Sequence, residues 1–459
     1  VLYRLQPSLA ERVRVLTARR VELGVRGWSA VVGVLVAFVV IIEIVSHLYQ
    51  IRGPIGLLAH DLVGRPGIGE IKIAGMLLAL VCLPARLRWW VLGGAVGLEL
   101  VWNAQRLVVG HAPTVGNGVL FALIGTAGYA FWRLHGTERA ATLKAVGLGA
   151  LLIVMGRVGD AWLVLSTKAN ATVLDEYVEM ADRALGSPAW TVGRVVSDST
   201  LLTEVLSKIY VYLPVGAAVI AFFQLRNAAR DGFPRHHIVR TFLIIGMIGP
   251  IIYFLFPVVG PAYAFGHELA GAGWVDVWPH VTPHITEPVA TYFNEGIARN
   301  CMPSLHTAWA TAIFLHGWRG SAASRVFGTV WLIGTVSATL GFGFHYAIDV
   351  IAGMVFTLAL EAALARPELG WTRLRTVVVA TGAALFAAIL TATRLAAVPL
   401  ANSGAFGAVA LLSPVVVMAL GLLFIERPEL LSVGQRPGGG QRPGGPTIPA
   451  RLVPASSSA

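Results

Sequence analysis

Two cysteines in 459 residues provide no disulfide framework, and two thiols do not make a structural zinc site. Carboxylates do not cluster in the way that holds Mg²⁺, so neither a metal nor any other cofactor is expected. Charge is scarce as well. Only 13% of the residues are Asp, Glu, Lys or Arg, against 56% that are hydrophobic, which is too apolar for a soluble globule of this length. With a mean hydropathy of +0.71, the chain reads as an all-α, polytopic membrane protein. The net charge of +11 fits membrane topology and contact with anionic headgroups, and nothing in it points to nucleic acid.

Apolar stretches predict about twelve transmembrane spans. They lie near 28–49, 70–84, 88–103, 115–133, 144–166, 199–223, 238–257, 303–318, 326–342, 346–364, 375–395 and 406–425. Threading them with both termini in the cytoplasm puts Arg86/Arg88, Arg133/Arg139/Lys144, Arg226/Arg230/Arg235, Arg319/Arg325 and Arg366/Arg373/Arg375 on the cytoplasmic side, as the positive-inside rule asks. The long loops 167–198 and 258–302 then face outward and are comparatively acidic. A basic segment, 1–27, lacks a small-residue cleavage site and reads as an uncleaved anchor. The tail 432–459, rich in Gly, Pro and Ser, is expected to be disordered and cytoplasmic. Between these ends the reading assigns accessory spans to 28–143, a catalytic core to 144–365 and further accessory spans to 366–431.

His306 and His345 each stand where an apolar segment meets its loop, within Arg299-Asn-Cys-Met-Pro-Ser-Leu-His306 and Gly341-Phe-Gly-Phe-His-Tyr-Ala-Ile-Asp349. One span out and one back bring both to the extracytoplasmic face. An aspartate at i+4 orients a histidine ring and raises its basicity, and a second histidine nearby gives or takes a proton. That is equipment for attack by imidazole on phosphorus. Pro303 suits a first helical turn, which places Ser304 and adjacent N–H groups at a helix N-terminus, a natural anion site. Gly341 and Gly343 admit close backbone approach to a phosphate.

The two motifs together resemble the type 2 phosphatidic acid phosphatase superfamily. Phe256-Pro-Val-Val-Gly260-Pro-Ala-Tyr263 is similar to a segment of its inositol phosphorylceramide synthase branch, the lipid headgroup phosphotransferases. The resemblance implies a six-helix core and a phosphohistidine on His345, with Asp349 hydrogen-bonded to the other ring nitrogen. His306 would protonate the leaving group and then activate the acceptor. Tyr263 is counted with the substrate-binding residues on the same ground.

Departures from the superfamily pattern narrow the substrate. Its phosphatases carry a Lys and an Arg-Pro ahead of the histidine motifs and a Ser-Arg pair before the nucleophile, where this chain has Tyr253 and Gly260, then Ala338 and Thr339. Leu305 replaces a glycine. Three cationic clamps are thus missing, which suits a singly charged phosphodiester better than a phosphomonoester or pyrophosphate. Arg299, Lys208 and Arg394 are the cations nominated to assist at the phosphate. Arg157 and Asp160, three apart, read as a structural ion pair. The function expected is transfer of a headgroup phosphate from a phosphatidylinositol-like lipid to a lipid or polyol acceptor at the outer face of the plasma membrane. A lipid phosphate or polyprenyl (pyro)phosphate phosphatase would use the same histidines, and a secondary transporter would share the span count but place its site at the midplane. No protein partner is indicated.

Overall fold

The computed structural model describes residues 25–64, 67–228, 234–266, 282–293 and 296–431. Most of the basic N-terminal segment, the tail 432–459, and Arg230, Trp274 and Trp278 lie outside the described residues. The helices are α1 (Val25–Leu48), α2 (Pro54–Val63), α3 (Gly69–Cys82), α4 (Ala85–Val108), α5 (Asn117–Arg133), α6 (Gly136–Ala169), α7 (Asp175–Asp182), α8 (Pro188–Ser197), α9 (Thr200–Val211) and α10 (Leu213–Leu225). They continue with α11 (Ile238–Leu255), α12 (Pro261–Phe265), α13 (Leu305–Trp318), α14 (Ala322–Gly341), α15 (Ala347–Leu364), α16 (Arg373–Leu395), α17 (Ala397–Asn402) and α18 (Ala405–Glu426). Two-residue strands, β1 (Thr172–Val173) and β2 (Thr291–Tyr292), pair antiparallel with Thr172 opposite Tyr292.

The expectation of about twelve spans is overturned. Five described helices are long and apolar enough to cross a membrane: α6, α11, α15, α16 and α18. A sixth is counted if α9 and α10, bent by 61° at their junction, form one broken span. The remaining apolar stretches fail for physical reasons. Helices α3 and α13 have 14 residues each, roughly 21 Å of rise against the ~30 Å of a hydrocarbon core. Helix α4 is long but carries Arg86, Arg88, Glu99 and Arg106. Helix α14 is diluted by Gly328, Thr329, Gly334, Thr335, Ser337 and Thr339. A window of apolar residues does not distinguish a helix buried among helices from one bathed in lipid. The inside–outside alternation built on twelve spans, including the cytoplasmic placement of both termini, falls with the count. A multi-pass membrane protein remains.

Packing divides the apolar interior into an N-terminal and a C-terminal portion that meet at α10 and α13. In the first, α3 crosses α6 at two facing glycines. A Cβ on Gly75 would stand 2.8 Å from the Gly149 carbonyl oxygen, and one on Gly149 would stand 2.4 Å from that of Gly75, so only hydrogen permits the approach. The same region buries a charged cluster. Asp61 accepts from Arg157 Nε at 2.7 Å and pairs with Lys72 at 3.0 Å, while Arg157 also reaches Asp160 at 2.5 Å. The Arg157–Asp160 pair is therefore half of a four-residue network.

In the C-terminal portion α14 packs on α13, α13 on α15, and α15 on both α16 and α18. Helix α15 comes so close to the start of α13 that a Cβ on Gly353 would lie 2.4 Å from the Ser304 carbonyl oxygen. Thr357 donates to the Ala308 carbonyl at 2.9 Å. About 18 Å along α15 from Asp349, Glu361 anchors the opposite end. It accepts from Thr241 at 2.6 Å and Arg319 at 2.8 Å, and lies 3.0 Å from His316 Nε2 and 3.2 Å from His236 Nε2.

Candidate active site

Four segments are stitched together where α13 and α15 begin. The Cys301 N–H donates to the Val258 carbonyl at 3.0 Å, the Leu174 N–H to Pro257 at 2.8 Å, the Ala262 N–H to Gly343 at 2.9 Å, and the Ser304 N–H to Asp349 at 3.0 Å. Gly260 makes the junction possible. Its φ is +97°, and a Cβ there would stand 2.4 Å from the Phe344 carbonyl oxygen, so a side chain is excluded by conformation and by space. Gly343 likewise has φ +66° and turns the chain from α14 into His345.

His345 is buried, and its Nδ1 lies 2.9 Å from the Cys301 carbonyl oxygen. A carbonyl only accepts, so Nδ1 carries the proton and Nε2 keeps its lone pair. Asp349 stands farther from Nδ1, at 3.7 Å. Its Oδ2 accepts instead from the Tyr346 N–H at 2.9 Å, closing a cap on α15, and from the Cys301 thiol at 2.7 Å. Burial, with Asp349 adding to it, pushes the Cys301 thiol well above its ordinary value, so Cys301 stays protonated.

His306 occupies the first turn of α13, with its ring centroid 6.4 Å from that of His345. Ser304 is the N-cap of α13, and its hydroxyl accepts from the Thr307 N–H at 3.3 Å, an interaction worth about 1 kcal/mol. Pro303 lies one residue outside the helix, after a cis peptide bond from Met302, where the sequence reading put it in the first turn. Tyr263 stacks on Phe344 with centroids 6.0 Å apart.

The three nominated cations are held by other groups. Arg299 is buried and donates to the carbonyls of Asn170 at 3.3 Å and Phe293 at 2.7 Å, and to that of Ile297. Lys208 is 70% exposed and pairs with Glu204 at 3.6 Å. Arg394 lies 3.9 Å over the ring of Tyr177, a cation–π contact. The structure thus brings His306, His345, Asp349, Ser304, Gly343 and Tyr263 into one neighbourhood and draws the side chains of Lys208 and Arg394 to partners elsewhere.

Sequence reading missed the acids of α7, where a spacing of i, i+4 and i+7 in Asp175, Glu179 and Asp182 marks one helix face. Asp175 accepts from the Val259 and Gly260 N–H groups at 3.1 and 2.8 Å and from the Tyr346 hydroxyl at 2.9 Å. Asp182 accepts from the Ile348 N–H at 2.9 Å, and Glu179 from the Ser187 hydroxyl at 2.9 Å. Burial raises all three carboxyls, Asp175 to about 6, Asp182 to about 7 and Glu179 to about 8. Part of the acidity of the 167–198 loop is thus buried, with Asp175 and Asp182 bracing the Val258–Gly260 and Tyr346–Ile348 segments.

Two clusters among the described residues hold three potential metal ligands within 4.8 Å of one another: Cys301, His345 and Asp349, and His236, His316 and Glu361. In the first the thiol is protonated and His345 Nδ1 faces a carbonyl. In the second the Gln224 amide, whose oxygen accepts from the Ile238 N–H, donates to His316 Nδ1 at 2.9 Å. His316 Nε2 therefore carries a proton towards Glu361. Both networks suit proton placement.

No curated protein and no solved structure matches the chain. Residues 26–165 match a domain of unknown function (DUF5933), and residues 178–363 match the PAP2 superfamily. The second match begins inside α7, after Asp175, and spans both histidine motifs and nearly all of α15. The chain carries a PAP2-superfamily domain, and the paired histidines and Asp349 gathered at its helix ends lie within it.

Proposed function

We propose that the protein is a membrane phosphotransferase that moves a headgroup phosphate from a phosphodiester lipid to a hydroxyl acceptor through a phosphohistidine on His345. The observation that carries the reading is the Cys301 carbonyl on His345 Nδ1, which leaves the Nε2 lone pair for phosphorus, with His306 facing it at 6.4 Å. Nε2 attacks, the P–O bond to the leaving group breaks, and His306 protonates the departing oxygen; burial and the neighbouring His345 hold His306 down to about 3 until an anionic phosphate binds and raises it. The acceptor hydroxyl then gives its proton to His306 and attacks phosphorus, and the P–N bond breaks.

The preference for a diester rests on charge. Arg299, Lys208 and Arg394 are engaged elsewhere, which agrees with the replaced clamp positions Tyr253, Gly260, Ala338 and Thr339. A site with few cations favours a phosphate bearing one negative charge. The likeness of Phe256–Tyr263 to inositol phosphorylceramide synthases makes a phosphatidylinositol-like donor the first to try.

An outward-facing site is supported by the other end of the bundle, where Arg226, Arg240, Arg319, Arg325, Arg366, Arg373 and Arg375 flank the helix ends. Positive residues mark the cytoplasmic side. The PAP2-superfamily match also supports a second reading, hydrolysis by the same histidines with water as acceptor.

Incubating purified protein with headgroup-labelled phospholipids and a panel of lipid and polyol acceptors tests the choice. A new phosphodiester lipid among the products indicates a transferase, and free phosphate a phosphatase. Rapid hydrolysis of phosphatidic acid with no reaction on any diester overturns the transferase reading.

A further inference from the structure

His345 and the carbonyl that fixes its ring come from different segments of the chain, and one carboxylate ties the two together from behind. Asp175 Oδ2 accepts from the Val259 N–H at 3.1 Å, and Oδ1 from the Gly260 N–H at 2.8 Å and the Tyr346 hydroxyl at 2.9 Å. Val258, next to the first of these, accepts from the Cys301 N–H at 3.0 Å, and the Cys301 carbonyl holds His345 Nδ1 at 2.9 Å. Tyr346 directly follows His345. The bonds therefore close a circuit: from Asp175 to Val259, through Val258 to Cys301, on to His345, and through Tyr346 to Asp175 again. Asp175 is 2% exposed and Tyr346 fully buried, so water does not stand in for these bonds. A second tie, from the Cys301 thiol to Asp349, holds the side-chain end of Cys301. The Asp175 circuit holds its main chain, which is the part that meets the ring.

We propose that Asp175 is the positioning residue of His345, its carboxylate fixing the Cys301 carbonyl and the His345 main chain relative to each other so that Nδ1–H stays bonded and Nε2 stays aimed. That role rests on the reading of His345 as the nucleophile and deepens it. Asp349, 3.7 Å from Nδ1, is not the group that holds the ring. Orientation therefore depends on a main-chain carbonyl, and a carbonyl moves with its segment. The groups around Asp175 are all donors, and an ionised carboxylate only accepts. An asparagine of the same shape offers them one oxygen and turns N–H groups towards donors, so the circuit needs the carboxylate itself. Glu179, one turn further along α7, is equally buried but bonds the Ser187 hydroxyl at 2.9 Å and pairs with Arg183 at 3.9 Å, away from both segments.

At pH 8, where Asp175 is ionised, Asp175→Asn is the decisive variant, with Glu179→Gln as its control and thermal melting used to verify both folds. The ¹⁵N shifts of His345 are expected to report a single Nδ1–H tautomer in the wild type and in Glu179→Gln, and a mixture in Asp175→Asn. With a nitrophenyl phosphodiester, whose leaving group needs no proton, formation of the His345 phosphoenzyme is expected to slow roughly 10-fold or more in Asp175→Asn, since a misplacement of about 1 Å can cost about 10²-fold. Tyr346→Phe removes one of the three donors and keeps the carboxylate, so a smaller loss in the same direction is expected. A single tautomer with wild-type phosphoenzyme formation in Asp175→Asn would overturn the proposal, as would a mixture in Glu179→Gln, which would mark a general effect of the buried acids. If Asp175→Asn does not fold, the same two readouts on Tyr346→Phe decide, and wild-type values there sink it. A wild-type enzyme that forms no phosphohistidine defeats the underlying reading instead, and the His345 shifts then still decide the Asp175 assignment.

Discussion

Cys301 stands between the two halves of the His345 motif: its carbonyl holds the imidazole Nδ1–H at 2.9 Å, and its thiol lies 2.7 Å from the Asp349 carboxylate. One residue thereby does what the sequence pattern assigns to Asp349 alone. Cys301→Ser keeps a donor and is expected to retain activity within a few-fold. Cys301→Ala removes that donor from a buried carboxylate, at a cost of about 1–3 kcal/mol. Thermal melting of both variants checks the ranking, and equal stability would mean that the thiol contributes nothing.

The histidines are expected to separate in their effects. His345→Ala should abolish turnover and any acid-labile phosphoenzyme. His306→Ala should let the intermediate accumulate when the leaving group needs no proton, and acid-quench labelling measures both. Wild-type turnover in His345→Ala would end the mechanism. Asp349→Asn is expected to fold and to lose about 10²-fold in rate, read from steady-state kinetics.

The α7 acids give a pH dependence of stability. Asp175, Asp182 and Glu179 titrate at about 6, 7 and 8 in the folded protein, above the ~4 of unfolded carboxyls. The folded state therefore holds more protons than the unfolded one between those values, and the slope of stability against pH is negative there. Melting temperature in detergent is expected to fall from pH 5 to pH 8, and Asp182→Asn should flatten the slope. A rising melting temperature across that window would contradict the burial of these acids.

At the α3–α6 crossing, Gly149→Leu is expected to cost roughly 1–3 kcal/mol through overpacking. The readout is thermal stability of the solubilised protein, with Gly147→Leu as the control, because a Cβ on Gly147 has no neighbour within 4 Å. Equal losses in both variants would count against the crossing.

Local chemistry was legible in the sequence and spatial partnership was not. His306, Ser304, His345 and Asp349 sit in short motifs at helix starts, where capping and i+4 spacing are readable. Tyr210, whose ring stacks on that of His306, and Asp175 reach the site from far away in the chain, and no spacing rule connects them to it. Arg299 was readable as a cation but not as one surrounded by carbonyls, so Arg299→Ala is now expected to lower stability together with activity. The span count failed in part because α3 and α13 are apolar for the sake of neighbouring helices, a cause that hydropathy does not separate from contact with lipid.

The bonds between α13 and α15 reach beyond packing. The Ser304 N–H on the Asp349 carbonyl, the Thr357 hydroxyl on the Ala308 carbonyl and the close pass at Gly353 clamp α13, which bears His306, to α15, which His345 precedes. On the proposed function, the gap that takes phosphorus is therefore set by a helix crossing together with the loops that hold His345. Its tolerance is that of a packed interior, so a methyl group added at Gly353, against the Ser304 carbonyl, should detune the chemistry as surely as a change in the rings themselves.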